Sequence, residues 1–264
     1  MCLLSMNIFK QLYVSIYSPK MISKFRFQGI GKTILFVFIL SLLSTLPTAL
    51  YFSSSLSEGL KSFDETLRND LPSFTIENGL LSTDSEKPVE IKKDGFFIIL
   101  DGSGAYGVEE MESKENAIGI LSDKFVFAAN GQAQTYEYSL LNMTISKEDI
   151  MEITSQFNQL LPIVLTIMIL VMYLFGAFVK FIEITILALF GLAFKNSLQR
   201  KVNFKQLWVI AAYSTTLATI FFIIMDSLQV VVPSGFLLNW FVHLIVLYLV
   251  LKEIPPNKKK IETT

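Results

Sequence analysis

A chain of 264 residues with 52% hydrophobic side chains, 23 Phe among them, and a mean hydropathy of +0.52 has the composition of a multi-span membrane protein. Its single cysteine, Cys2, excludes an internal disulfide and any cysteine-based metal or redox motif. The net charge of −1 conceals an alternation: residues 1–32 carry five Lys/Arg and no acid, residues 53–157 carry 8 basic against 19 acidic groups, and residues 195–205 carry four basic groups and no acid.

The leader, residues 1–32, contains Met6 as a second start and a stripe of Ile8, Phe9, Leu12, Tyr13 and Ile16 at helical spacing, stopped by Pro19. Lys20, Lys24 and Arg26 follow. The pattern predicts a short helix, either lying on the inner membrane surface with its basic groups near anionic lipid or packed against the spans. The apolar run Ile34–Phe52, near 19 residues after a long basic segment, exceeds the 7–15 residues of a signal-peptide core and is expected to be a retained first span, 33–52.

Residues 53–157 are expected to form a small extracytoplasmic antiparallel β domain with helical connectors. Asn78-Gly79, Asp94-Gly95 and Asn130-Gly131 each separate two β-prone runs, as tight hairpin turns require. Phe125 with Phe127, and Tyr136 with Tyr138, fall at the period-2 spacing of a buried strand face. Ser146 and Asp149 have the spacing of a capping box.

The stretch Leu161–Phe194 is 34 residues long with only Lys180 and Glu183 charged. One passage gives four spans and keeps the leader, the 195–206 loop and the Lys258–Lys260 tail on the cytoplasmic side; two passages force one basic segment outward. The single long span, 158–194, is therefore expected, with Asn158 as cap and Pro162 in the first turn. Spans at 207–226 and 236–252 follow, joined by an outer loop at 227–235, and a basic cytoplasmic tail occupies 253–264. Lys180 and Glu183 share a helical face and can neutralise each other. With His243, which sits mid-span beside Trp240, they are the candidate intramembrane polar residues. Lys20, Lys24, Arg26, Lys195, Arg200 and Lys201 are the candidate lipid-surface residues. Asp226 is placed at the outer end of its span, solvated at the interface.

Other motifs point to bland roles. Gly102, Gly104 and Gly107 in "FFIILDGSGAYG" match G-x-G-x-x-G, but the four acids in the following "VEEMESKENA" would repel a phosphate, so a glycine-rich turn is expected and no nucleotide site. Asp101, Ser103 and Glu112 match calcium-loop spacing, yet Tyr106 stands where such a loop needs glycine. Asn142 heads an N-M-T sequon. No nucleophile with a neighbouring base, no paired glycosidase carboxylates and no HExxH motif occur. Neither enzyme activity, cofactor nor nucleic-acid partner is expected.

The leader "FKQLYVSIYSPKMISKFRFQGIGKTILFVFILSL", the outer "LPSFTIENGLLST" and "GFFIILDGSG", and "LFGLAFKNSLQRKVNFKQLWVIAAYSTTLATI" together resemble family 1189 of the domains of unknown function, bacterial membrane proteins, over nearly the whole chain. The last segment is similar to the Yip-type membrane superfamily, whose spans are joined by a short basic, glycine-containing turn. Here Lys195, Arg200, Lys201 and Phe204 match that turn, while the turn itself has no glycine after Gly191. Some members of the family are labelled maltodextrin-utilisation proteins, which implies an accessory role near sugar uptake and no catalytic residues. The expected function is a non-enzymatic accessory or scaffold protein of the cell membrane, both termini cytoplasmic, with a membrane-protein partner or a homo-oligomer. The alternatives are a small transporter or channel component using Lys180, Glu183 and His243, and a membrane enzyme with a site assembled from distant residues.

Overall fold

The computed structural model describes residues 6–93, 95–114, 116–129, 131–140 and 143–256. Cys2, Asp94, Asn130, the sequon at Asn142 and the Lys258–Lys260 cluster lie outside the described residues. The chain is mostly helical, with two small β sheets, and divides into a helical unit (1–51 and 168–264) and a unit that contains the strands (52–167).

The leader forms α1 (Ile8–Tyr17) and α2 (Pro19–Phe25). Asn7 caps α1 by accepting from the Lys10 N–H, and Ser18 accepts from the Met21 N–H at the start of α2, where Pro19 costs no hydrogen bond. The buried face of α1 differs from the expected stripe. Gln11, Val14 and Ser15 point inward, while Phe9 and Tyr13 are exposed, because the inner position is occupied by a polar network rather than by an apolar seam.

The first apolar run belongs to α3 (Ile30–Asn69), which continues through the whole polar connector. Strands β1 (Phe74–Glu77) and β2 (Leu80–Thr83) follow, then β3 (Val89–Lys93), β4 (Phe96–Leu100), the short α4 (Val108–Glu112), β5 (Asn116–Ile120), β6 (Lys124–Ala129), β7 (Gln132–Glu137) and β8 (Ile145–Ser146). They build a three-stranded sheet, β2-β1-β8, and a five-stranded sheet, β3-β4-β5-β6-β7.

Gly79, Gly95 and Gly131 each lie in a short gap between paired strands. Glu77 pairs with Leu80, Lys93 with Phe96 and Ala129 with Gln132. Asn78 and Gly79 both take positive φ, 53° and 80°, which matches the twist of the strands they join. A Cβ on Gly79 would also approach the Ser139 backbone at 3.3 Å. Gly79→Ala is accordingly expected to destabilise this unit by about 1–2 kcal/mol, read as a lower thermal midpoint for the loss of strand signal.

The purely antiparallel expectation needs correction, because β4 and β5 pair in parallel. A parallel neighbour demands a crossover, and the glycine-rich loop with α4 supplies it. α4 lays Met111 onto the sheet beside Gly119, where a Cβ would meet the Met111 methyl at 2.8 Å. That cover changes which strand face is buried. Val126 and Ala128, small enough to lie beneath α4, are fully buried with Ile99 and Ala117, and Phe127 is exposed. The opposite sheet face packs Ile98, Leu100 and Ile120 with Leu67, Phe74, Ile76 and Tyr138. Tyr136 stays exposed, and Tyr138 has already left the strand for a 3₁₀ turn, which is why the two do not share a face.

α5 (Lys147–Ser197) is one uninterrupted helix, so the 34-residue apolar stretch does not fold back on itself. It starts at the capping box, where Ser146 N–H donates to Asp149 Oδ2 at 2.8 Å and Asp149 N–H donates back to Ser146 Oγ at 3.2 Å. Pro162, expected in a first turn capped by Asn158, is instead in the helix interior, since the capping box at Ser146 already begins the helix. The 207–226 segment is two helices, α6 (Phe204–Ser214) and α7 (Thr216–Ser227). They meet at Thr215, where the hydroxyls of Ser214, Thr215 and Thr216 bond to carbonyls one turn back and compete with regular helix geometry. α8 (Gly235–Lys252) completes the helical unit, whose core includes Phe25, Phe36, Leu187, Tyr213 and Leu247.

Candidate functional site

Lys180 and Glu183 stand one helical turn apart on α5, and Lys180 Nζ lies 2.6 Å from Glu183 Oε2. The same ammonium reaches Thr219 Oγ1 of α7 at 3.3 Å. Asn239 and His243, four residues apart on α8, present one face to this pair. Asn239 Nδ2 donates to Glu183 Oε1 at 2.6 Å, and His243 Nδ1 lies 3.1 Å from the same oxygen without the alignment of a hydrogen bond.

His243 is fully buried and is the only histidine of the chain. Its Nε2 is 3.3 Å from the Thr215 carbonyl, which can only accept, so Nε2 carries hydrogen and Nδ1 faces the carboxylate. The carbonyl is presented at the junction of α6 and α7, so the break between these helices and the histidine belong to one arrangement. The edge of the Trp240 ring, with centroids 6.4 Å apart, covers the imidazole.

An open cleft of about 290 Å³ borders the ion pair, lined by Lys180, Thr219, Asp226 and Asn239, with Phe222 and Phe236 as apolar walls. The three polar residues expected from the sequence are thus brought together. Asn239, Thr215 and Thr219 complete the set and were missed. The Asn239/His243 spacing of four and the hydroxyl run "YSTTLAT" are the sequence signals that could have found them. Chemically, the arrangement neutralises its own charges and leaves few donors unused. Among the described residues no group of three or more His, Cys, Asp and Glu could hold a metal ion.

The other candidates are dispersed. Lys20, Lys24 and Lys201 are exposed, and Arg26 donates to the Ser23 carbonyl of its own helix. Lys195 donates to the Val202 carbonyl at 3.0 Å and the Arg200 backbone bridges to Pro256, so both help shape the turn between α5 and α6. The glycine-rich segment closes around Asp101. Its carboxylate is fully buried and accepts from Ser103 N–H (2.8 Å), Ser103 Oγ (2.6 Å) and Tyr106 N–H (2.7 Å). Burial alone would raise the Asp101 pKa, but these bonds hold it below the usual carboxylate value. The loop is a turn built on an aspartate, with its oxygens committed to the chain itself.

Among the described residues four helices, α3, α5, the α6–α7 pair and α8, are long and apolar enough to cross a membrane, which is compatible with a multi-pass membrane protein. The chain belongs to the DUF1189 family, described as a protein of unknown function, whose family model matches residues 9–251. No curated protein and no solved structure matches it.

Proposed function

We propose that the protein is a non-enzymatic accessory or scaffold component of the cell membrane. It crosses the bilayer four times, keeps both termini in the cytoplasm and holds the strand-containing unit outside. The observation that carries this reading is α5, whose most apolar window is only 11% buried within the chain. Residues such as Phe175, Phe178 and Ile182 present bare apolar surface to a lipid tail or a partner's helix. The alternation of basic and acidic segments supports the orientation. A role beside maltodextrin uptake is tested by growth of a deletion strain on different carbon sources.

The second reading, a transporter component, draws on the cleft beside Lys180. It is the weaker one, because Lys180, Glu183 and Asn239 are bonded to one another as a clasp between α5, α7 and α8. Sidedness is tested with Cys2→Ser carrying either Ala105→Cys or Ser197→Cys. An impermeant maleimide on intact cells is expected to modify position 105 alone, and position 197 only after permeabilisation; the reverse pattern overturns the proposed orientation.

A further inference from the structure

α1 is an inverted helix. Its inward side carries Gln11 and Ser15, both essentially fully buried, and its outward side carries Phe9, Tyr13 and Tyr17 at i, i+4 and i+8. Gln11 is satisfied inside: its amide donates to Met6 O at 3.0 Å and Gln28 Oε1 at 2.8 Å, and it accepts from the Tyr213 hydroxyl at 2.7 Å. The three outward rings and Phe27 are between 61% and 68% exposed. Tyr13 and Tyr17 are in edge contact, and the Arg26 guanidinium lies 4.3 Å from the Phe27 ring centroid. Water is a poor solvent for such a face. The interface of a bilayer is a good one, because aromatic rings with polar tips concentrate at headgroup level.

We propose that α1 and α2 form a binding surface for anionic phospholipid headgroups on the cytoplasmic side of the membrane. Lys10, Lys20 and Lys24 are exposed on the same two helices, and no acidic residue occurs anywhere in residues 1–32. That charge pattern selects the occupant. A second copy docking the same face would set one cationic cluster against its twin, whereas an anionic leaflet complements it. The surface differs from the stripe read from sequence, since Leu12 and Ile16 lie to its side and Tyr17 and Phe27 belong to it.

The inference rests on the four-span reading, and the test separates the two. The full chain carrying Cys2→Ser and Tyr13→Cys is labelled with an environment-sensitive NBD fluorophore and reconstituted in phosphatidylcholine vesicles with and without phosphatidylglycerol. A blue-shifted emission, quenched by headgroup-depth nitroxide lipid and shielded from iodide, is expected. The shift should deepen with phosphatidylglycerol and lose that increment in Lys20→Gln/Lys24→Gln. A label open to iodide, a label hidden from both quenchers by another protein copy, or indifference to phosphatidylglycerol each overturns the proposal. Alkaline carbonate extraction of the same vesicles reports on the spans. A chain that washes off defeats the four-span reading, while a retained chain with a water-exposed label defeats only this surface.

Discussion

Glu183→Ala is expected to destabilise the helical unit by about 3 kcal/mol, because it leaves the partly buried Lys180 ammonium without its counter-charge and strips Asn239 of its acceptor. In mild detergent this corresponds to a fall in the thermal midpoint on the order of 10 °C. The paired variant Lys180→Met/Glu183→Leu removes both charges together and should cost clearly less than the single substitution. A single variant as mild as the double would mean that the ion pair contributes nothing to how α5, α7 and α8 are held.

Asp101→Ala should cost the strand-containing unit about 3 kcal/mol. It deletes a charged acceptor and leaves the Ser103 and Tyr106 N–H groups without partners. Loss of amide protection along β4 and β5 on hydrogen exchange would register it. The same carboxylate predicts a pH response. Its pKa in the folded chain is lower than the value of about 3.9 in an unfolded one, so its contribution is fully present above that value and disappears as pH falls through the folded pKa. Asp101→Asn keeps one acceptor oxygen and cannot titrate, so the part of the acid response owed to this carboxyl should vanish. An acid profile identical to that of the native chain would remove Asp101 from the account.

Short-range chemistry was the legible part of this sequence. The Asn78-Gly79 turn, the Ser146/Asp149 capping box and the apolar lengths of the long helices follow from rules that span two to twenty residues. The parallel pairing of β4 with β5 was not legible, because it depends on α4 covering small residues on strands that come later in the chain. Pro162 misled for a related reason: a proline suits a first turn, and nothing local reveals that the helix has already begun. At the polar site, Lys180 and Glu183 announced themselves as the only charges in an apolar run. Asn239 and Thr219 did not, since uncharged polar residues in a span are common and their importance comes from what α5 brings to them.

The hydrogen bonds that join Gln11, Gln28 and Tyr213 also impose an order of events during biosynthesis. Gln11 emerges from the ribosome about two hundred residues before Tyr213, which at roughly 5–20 residues per second is a delay of about 10–40 s. Throughout that interval the Gln11 amide oxygen lacks its tyrosine donor, so this network of three side chains is completed only after α6 has been made. The Gln11–Gln28 bond needs only the first 28 residues, whereas the tie from α1 to α6 waits for Tyr213.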